Sequence, residues 1–569
     1  MSKFNTPGVR AATTSPVTTE PASSGPTHQG GPGFSRDAKS ELFTLAVTNM
    51  VSEKTFYEQA LDRDSRYRAL VAAVAVEDPE WLLHLTGWLR TGAGLRSVAL
   101  VTALETVAAV LASAPTTHEA GGPRTRVMPD GRGVLRAIVD VALDRADEPG
   151  EALAYWIERH GRAVPMPVKR GIGDAVRRLY TQRGLLKYDT PSHGFRFGDV
   201  IELVHPYPSS DWQDQLFRFA LDRRRGRQDV PEGLHVVEAN RQLRLRAAED
   251  PAALLDTNLL LAAAMTWEDV LSLAGDRVPK RDLWSALVPV MGYTALLRNL
   301  RNLDEAGVPD DVAERAVARL RDPEQVLRSR EMPLRFLAAH REAPSLRWGH
   351  ALEVALQHSL GSVPALDGRT LVLVDTSSSM HDPLSERSSL LRWDAAVAFG
   401  LALAARAKSA DVYTFSSTAR HYGDRHAGNA RQFPAVGAES LLGAIARWKR
   451  DGFFLGGGTA TAAAVRMTYS GHARVVILTD EQAGVDSLDV GACVPERVPL
   501  YTWNLAGYAR GHAPAGTTYR HTFGGLTDRM FGLIPLLESG RSGVWPWEMS
   551  PLAAAMTVAT TATTKEAAA

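Results

Sequence analysis

One ten-residue stretch constrains the fold more than any other part of the chain: residues 371–380, which read LVLVDTSSSM. Four consecutive apolar residues are typical of a strand that is buried on both faces of a parallel sheet. Asp375 follows them, with Ser377 and Ser379 at alternate positions. One carboxylate and two hydroxyls are hard oxygen ligands of the kind that Mg²⁺ prefers. The stretch therefore predicts a divalent-cation site at the carboxyl end of a strand in an α/β domain.

The residues after this motif alternate between helix-like and strand-like segments. The candidates are a helix at 393–407 and strands at 411–415, 475–480 and 498–505. This alternation indicates a doubly wound parallel sheet, in which the binding crevice lies at the carboxyl ends of the strands. Asp375, Thr459 of the loop GGGTAT, and Asp480 would all lie at that edge.

The motif and its surroundings resemble the metal-ion-dependent adhesion site of von Willebrand factor A domains. The resemblance implies that Ser377 and Ser379 bind Mg²⁺ directly, and that Thr459 does so directly or through water. Asp375 and Asp480 would act mostly through water and orient the hydroxyls. It also implies an open coordination position that accepts an acidic group from a partner. The alternative is a serine-rich turn whose polar residues cap helices.

Charge and cysteine content limit the classes of protein. The 569 residues include 64 basic and 64 acidic side chains, so nucleic-acid binding would have to depend on local basic surfaces. The single cysteine, Cys493, excludes an internal disulfide and fits a reducing compartment. Neither a signal-like segment nor an uncharged apolar run of spanning length is found. We therefore expect a cytoplasmic protein without a membrane partner.

Composition divides the chain into four segments. Residues 1–36 are rich in Thr, Ser, Pro and Gly and predict a disordered leader, and residues 551–569 predict a flexible tail. Residues 368–550 contain the α/β pattern. Residues 37–367 are rich in Ala, Leu and Arg with apolar residues at helical spacing, for example at 282–300. Many short helices over such a length favour an irregular, HEAT-like helical-repeat array.

A helical-repeat block followed by a von Willebrand A domain resembles the Ro ribonucleoprotein family, whose helical part is called the TROVE module. The stretches that resemble this family are 55–58 (TFYE), 197–206 (FGDVIELVHP), 291–303 (MGYTALLRNLRNL) and 333–340 (PLRFLAAH). The Ala/Arg-rich composition is typical of a high-GC bacterium, so we expect a bacterial-type member. The expected fold is an irregular helical-repeat ring followed by a doubly wound, Rossmann-like A domain.

The resemblance implies RNA binding. In this family the repeats close into a ring within one chain, and single-stranded 3′ ends of misfolded noncoding RNA enter its basic central hole. Structured Y RNAs bind the outer surface. We therefore expect a monomeric ribonucleoprotein component that acts in RNA quality control, with an exoribonuclease as a further partner.

Basic residues are the candidate RNA contacts, because arginine and lysine neutralise phosphates. Residues 159–187 contain eight of them and only one interior acid, Asp174, and a second cluster lies at 218–227. The candidates are Arg159, Lys169, Arg170, Arg177, Arg178, Lys187, His205, Arg223, Arg224 and Arg298. The alternative is that the arginines form solvated helix faces paired with nearby acids. His205, which matches a family position near RNA, is equally consistent with a structural histidine, and Arg298 with a bond to a neighbouring loop.

No motif in the sequence indicates catalysis. There is no HExxH pair, the glycine-rich loop lacks the lysine of a Walker loop, and no GxSxG elbow occurs. We therefore expect a binding protein rather than an enzyme. Two alternatives stay open: an adaptor whose metal site binds an acidic partner residue, and a metal-dependent enzyme.

Overall fold

The computed structural model describes residues 14–48, 51–113, 128, 130–190, 194–227, 229–418, 428–435, 439–484, 489–540 and 543–548. The predicted tail and residues 1–13 of the predicted leader lie outside this range. The described chain forms two compact units. The sheet unit contains the residues up to Val74, Met332–Ala338 and the residues from Leu356 onward. The helical unit contains Ala75–Glu331 and Ala339–Ala355.

Most of the described chain outside the sheet is helical, in segments of six to eighteen residues. The helices are α1 (Ala38–Thr48), α2 (Ala60–Glu77), α3 (Pro79–Thr91), α4 (Arg96–Ser113), α5 (Val134–Ala142), α6 (Glu148–His160), α7 (Met166–Leu179), α8 (Gln182–Tyr188), α9 (Phe197–Val204), α10 (Asp211–Arg224), α11 (His235–Glu249), α12 (Thr257–Ala262), α13 (Trp267–Ala274), α14 (Lys280–Leu287), α15 (Tyr293–Arg298), α16 (Leu300–Glu305), α17 (Asp310–Leu320), α18 (Pro323–Ser329), α19 (Pro333–Glu342), α20 (Leu346–Ser359), α21 (Arg392–Arg406), α22 (Leu441–Arg450), α23 (Thr461–Thr468) and α24 (Leu533–Glu538).

Local sequence explains where many of these helices begin and end. Asp78 begins α3, since its side chain accepts a hydrogen bond from the backbone N–H of Trp81, and Pro79 occupies the first helical position. The stretch predicted as helical at 282–300 is helical but not continuous. It divides into α14, α15 and the start of α16, because Pro289 cannot donate a backbone hydrogen bond and Gly292 is the extended residue before α15.

Helix α4 is long and apolar enough to cross a membrane by length and composition alone. Most of it is buried within the helical unit, and its Glu105 accepts a hydrogen bond from the Tyr155 hydroxyl at 2.6 Å. A helix buried in this way is typical of the core of a helical array.

The sheet unit is built on a six-stranded sheet. The strands of the described chain are β1 (Gly25–Pro26), β2 (Pro32–Ser35), β3 (Leu366–Asp375), β4 (Ala407–Ser417), β5 (Gly428–Phe433), β6 (Arg474–Thr479), β7 (Leu500–Asn504), β8 (Arg510–Gly511) and β9 (Arg520–Gly524). The large sheet has the order β5-β4-β3-β6-β7-β9, and β5 alone in it runs antiparallel. The predicted fold class, a helical block with a doubly wound α/β sheet, is confirmed.

The centre of the sheet is β3 with its two parallel neighbours. Leu371–Val374 are fully buried, as expected for a strand covered on both faces. On one face Phe399 of α21 packs 5.8 Å from Trp503, whose ring stacks on Phe531 at 3.6 Å. From β3 the chain first proceeds to β4 on one side and then returns to β6 on the other. The carboxyl ends of β3 and β6 therefore flank the point where strand order reverses, which is the binding position of doubly wound folds.

The disordered leader predicted for residues 1–36 was wrong for residues 14–36. These residues form β1 and β2, and β2 pairs with β8 through Phe34 opposite Gly511. Phe34 is 3% exposed. Composition indicated disorder because the segment has little apolar surface of its own, but hydrogen bonds such as that from the Thr27 hydroxyl to the Ala483 carbonyl hold it against the rest of the sheet unit.

Candidate metal centre and nucleic-acid interface

The five predicted metal-site residues lie together at the strand-order reversal. Asp375 ends β3, Asp480 directly follows β6, and Thr459 precedes α23. Ser377 and Ser379 follow β3 in a tight turn. All five side chains are buried, with exposed fractions of 1% or less. We call Asp375, Ser377, Ser379, Thr459 and Asp480 the hydroxyl–carboxylate cluster.

Hydrogen bonds within the sheet unit fix the orientation of the carboxylates. Asp375 Oδ1 accepts from the Ser377 backbone N–H at 2.9 Å, and Oδ2 accepts from the Thr479 hydroxyl at 2.6 Å. Asp480 Oδ1 accepts from the Gln482 backbone N–H at 3.0 Å. The hydroxyl oxygens of Ser377 and Ser379 lie 3.3 Å apart. The two serine hydroxyls are thus close enough to serve one bound ion.

The electrostatics of the cluster disfavour two ionised carboxylates unless a positive charge is bound beside them. Burial raises the pKa of Asp375 to about 7, and the Asp480 carboxylate adds to this effect. Burial also raises the pKa of Asp480. Two buried carboxylates this close disfavour each other's ionisation, and a bound cation would reverse that effect.

The donor set fits a hard divalent cation. Thr459 Oγ1 and Asp480 Oδ2 are buried and have no hydrogen-bond partner among the described residues. Buried polar atoms are nearly always satisfied, so these two are available as ligands. Within the described ranges no group of three or more His, Cys, Asp or Glu side chains could hold a metal. Any cation at the cluster would therefore rely on hydroxyl oxygens, which favours Mg²⁺ over Zn²⁺.

The first basic cluster lies on α6, α7 and α8. Arg170 and Arg177 are exposed and seven residues apart on α7, so they lie on one helix face. Neither side chain has an ion-pair partner among the described residues, and the same holds for exposed Arg159 at the end of α6. Lys169 is half-buried, and the Lys187 ammonium lies 5.1 Å from the Tyr188 ring. These residues retain charge that is available to a ligand.

Three other predicted RNA-binding arginines bond to groups within the helical unit instead. Arg178 donates to the Asp140 carboxylate at 2.8 Å and to the Leu143 carbonyl at 2.9 Å. Arg224 pairs with Asp199 and Glu202, and Arg223 lies 3.4 Å from Asp189. These three arginines therefore fit the alternative interpretation, in which arginines on helix faces pair with nearby acids. Asp174, the acid inside the cluster, is paired with Arg136 at 2.6 Å.

The remaining two candidates are exposed. Arg298 ends α15 and has no ion-pair partner in the described part of the chain. His205 lies directly after α9 in a left-handed conformation with φ 53°. An exposed position does not support the structural-histidine alternative.

Sequence reasoning missed two aromatic residues near His205. Tyr207 is 84% exposed and Trp212 is 39% exposed. A Cβ at Gly173 of α7 would lie 3.4 Å from Val204 and 4.0 Å from Pro206, which places Tyr207 beside α7. The Gln213 side chain donates to the Arg177 carbonyl at 3.0 Å, which ties the start of α10 to the same helix. The signal was the sequence HPYPSSDW, whose tyrosine has no apolar neighbours to pack against.

We call Arg170, Arg177, His205, Tyr207 and Trp212 the α7 surface. Here arginines without carboxylate partners lie on the helix that contacts the segment bearing these exposed rings. Phosphate neutralisation and base stacking are the two interactions that bind single-stranded or looped nucleic acid.

Comparisons with known proteins found partial matches in sequence and an extensive match in fold. Residues 243–367 match the model of the TROVE domain. A 206-residue alignment, covering 33% of this chain and 37% of the relative, is 30% identical to the RNA-binding protein RO60 of Deinococcus radiodurans. A 77-residue alignment is 39% identical to telomerase protein component 1 of Rattus norvegicus, covering 13% of this chain and 3% of that protein. The chain thus matches 37% of the length of RO60 and 3% of the length of telomerase protein component 1.

The fold likeness extends further than the sequence alignments. The crystal structure of the Deinococcus radiodurans Ro (RSR) protein superposes with a TM-score of 0.55 at 19% identity, covering 88% of this chain and 99% of that one. At this identity the likeness concerns the fold alone. The TROVE match and the alignment to RO60 confirm the predicted resemblance to the Ro family in sequence, and the crystal structure adds a likeness of fold.

Proposed function

We propose that this protein binds noncoding RNA through the α7 surface. The carrying observation is the pair Arg170 and Arg177, exposed on one face of α7 without carboxylate partners in the described chain, beside the exposed ring of Tyr207. Because the chain as a whole has no net charge, such a local surface is where phosphate affinity would arise. A relative that is itself named an RNA-binding protein supports the proposal.

The chemistry of the surface favours RNA with unpaired bases. Stacking on Tyr207 or Trp212 requires a base that is free of its own helix, whereas arginines bind phosphates of any sequence. The RNAs we propose are small structured noncoding RNAs of the Y-like kind and the single-stranded ends of misfolded or degrading noncoding RNA. The protein would act in cytoplasmic RNA quality control as part of a ribonucleoprotein, with an exoribonuclease as the partner that degrades what is bound.

We also propose that the hydroxyl–carboxylate cluster holds Mg²⁺. Ser377, Ser379 and Thr459 would supply the hydroxyl ligands, and Asp375 and Asp480 would orient them and act through water. The cation would supply the positive charge that the two buried carboxylates lack. Two potential ligand atoms support this proposal, because Thr459 Oγ1 and Asp480 Oδ2 have no hydrogen-bond partner in the described chain.

The function is tested with the full chain purified from its own host at about 0.1 M salt, where phosphate contacts are still strong. Sequencing of the copurified RNA should show enrichment of small structured RNAs or of noncoding RNA ends. A labelled hairpin with a single-stranded 3′ tail should bind more tightly than the same hairpin without the tail. Absence of RNA, together with equal and weak binding of both hairpins, would contradict the proposal.

A further inference from the structure

A turn of the amino-terminal segment lies directly against the hydroxyl–carboxylate cluster. The Thr27 hydroxyl donates to the Ala483 carbonyl at 2.6 Å, and the Gly31 N–H donates to the same carbonyl at 3.2 Å. The backbone N–H of His28 donates to Gln482 Oε1 at 2.9 Å. Ala483 lies three residues beyond Asp480, so these bonds fix the turn beside the end of β6. We call residues 27–31 the N-terminal turn.

The N-terminal turn is shaped for close approach. Thr27 donates its backbone N–H to the Gly31 carbonyl at 2.8 Å and accepts from the Gly30 N–H at 3.0 Å. Gly30 has φ 88°, a conformation that favours glycine. A Cβ at Gly31 would lie 2.5 Å from the Ala483 carbonyl oxygen, which is too close for any other residue. The two glycines therefore allow the backbone of the turn to lie directly against the backbone at Ala483.

Gln29, at the tip of the turn, joins the cluster residue Thr459 to Tyr57 through its side-chain amide. Its Oε1 accepts from the Thr459 backbone N–H at 3.0 Å, and its Nε2 donates to the Tyr57 hydroxyl at 2.7 Å. The Tyr57 hydroxyl in turn lies close to the Ser379 side chain. The amide and the phenol thus extend from one cluster hydroxyl residue to another, and the His28 ring stacks on Tyr57 at 4.8 Å.

A buried ion pair anchors the segment after the turn. Arg36 pairs with Glu481, the residue that follows Asp480, and both side chains are fully buried. Arg36 also donates to the Tyr508 carbonyl at 2.9 Å. Removing either charge would leave the other unpaired in the interior, which is strongly unfavourable. The segment is therefore an integral part of the sheet unit and is held on both sides of Gln29.

We propose that the cation site is closed within the chain, with Gln29 and Tyr57 occupying the face at which a partner's acidic group would have to enter. The proposal rests on Mg²⁺ binding at the cluster. One divalent cation with Asp375 and Asp480 ionised carries no net charge, so a neutral amide completes the site without adding charge. An acidic partner residue would bring a third negative charge and would also have to displace the N-terminal turn.

The test replaces Gln29 with an isosteric carboxylate. In the Gln29→Glu variant a third carboxylate lies next to the cation, and affinity for hard cations rises with the charge of the ligands. We expect the Kd for Mg²⁺, measured by calorimetry on the full chain, to fall by about tenfold or more. Ala22→Glu adds the same charge at an exposed position of the same segment and should leave the Kd unchanged.

Hydrogen exchange provides a readout that does not depend on affinity. Mg²⁺ should slow amide exchange in residues 27–31 of the wild-type protein, because the cation and the turn stabilise each other. Gly31→Ala should speed exchange in these residues and accelerate Mg²⁺ release, with the circular dichroism of the chain unchanged.

The outcomes separate the two proposals. If the wild-type chain binds no Mg²⁺, and Ser377→Ala with Ser379→Ala behaves identically, the cation site itself is refuted. If Mg²⁺ binds but neither Gln29→Glu changes its Kd nor Mg²⁺ changes exchange at residues 27–31, the closure is refuted and the site is open to an acidic partner. Should Gln29→Glu fail to fold, the exchange rates of the wild-type protein and of Gly31→Ala decide the matter.

Discussion

Neutralising two arginines of the α7 surface should weaken RNA binding in a way that salt reveals. Arg170→Gln and Arg177→Gln remove two charges from exposed side chains that have no ion-pair partner in the described chain. The substitutions break no described contact of these side chains, so the stability of the helical unit should not change. Any loss of affinity then reports on phosphate contacts.

The magnitude follows from counterion release. Each phosphate contact on a single strand contributes about 0.7 to the slope of log K against log salt, so the double variant should have a slope smaller by about 1.4. Measured against a 1 M salt reference, two such contacts are worth about 25-fold in affinity at 0.1 M salt. The double variant should lose affinity by about that factor at 0.1 M salt and by little at high salt.

Fluorescence anisotropy of a labelled hairpin with a 3′ tail, at four or more salt concentrations, gives both quantities. The matched control is Arg315→Gln with Arg328→Gln. It removes two exposed arginines of the same unit, each of which already pairs with an acid four residues before it in the chain. The control should keep the wild-type slope. Equal slopes for the wild type, the control and the Arg170/Arg177 variant would refute the assignment and place the RNA elsewhere.

Three further outcomes are expected. Tyr207→Ala should weaken binding of unpaired RNA by about 1–3 kcal/mol through lost stacking, as measured by the same titration, while the salt slope stays unchanged. Arg36→Met should lower the free energy of unfolding by about 3–5 kcal/mol in urea, because Glu481 is left buried and unpaired, and adding Glu481→Gln should restore part of it. Burial lowers the pKa of His521 to about 4 from its ordinary 6.5. The unfolded chain therefore binds the extra proton between these values, and stability falls as pH drops from about 6.5 to 4, by up to about 3 kcal/mol from this group. His521→Phe should flatten the fall in thermal denaturation midpoints over that range; an unchanged pH profile would contradict this cause.

The centre of the sheet could be predicted because its signal is local and chemically specific. The apolar run at Leu371–Val374 predicts a strand buried on both faces of a sheet. Asp375 and Asp480 each follow the end of such a buried strand. The edge strands β5 and β9 were missed. They are short and mixed in character, and β5 pairs antiparallel with β4, an arrangement that strand–helix alternation does not indicate.

Contacts between residues far apart in sequence account for the other differences. Composition could not show that Arg36 pairs with Glu481, or that Thr27 and Gln29 reach the cluster, because the partners are some 430 to 460 residues away. The same limit applies to the arginines. Arg177 and Arg178 are adjacent in sequence, but only Arg178 faces Asp140, so local charge density alone could not tell an available arginine from a paired one.

The partnership of Arg36 with Glu481 has a consequence for synthesis of the chain. The two residues are 445 positions apart, so a ribosome that adds about 5–20 residues per second delivers Glu481 about 20–90 s after Arg36. Contacts within the helical unit span fewer residues: Arg136 with Asp174 spans 38 and Arg330 with Asp144 spans 186. Arg36 therefore stays solvated while the helices between it and Glu481 are made and packed. The segment around Arg36 is therefore made well before the part of the sheet unit that holds it, and it can reach its final position only after Glu481 has been made.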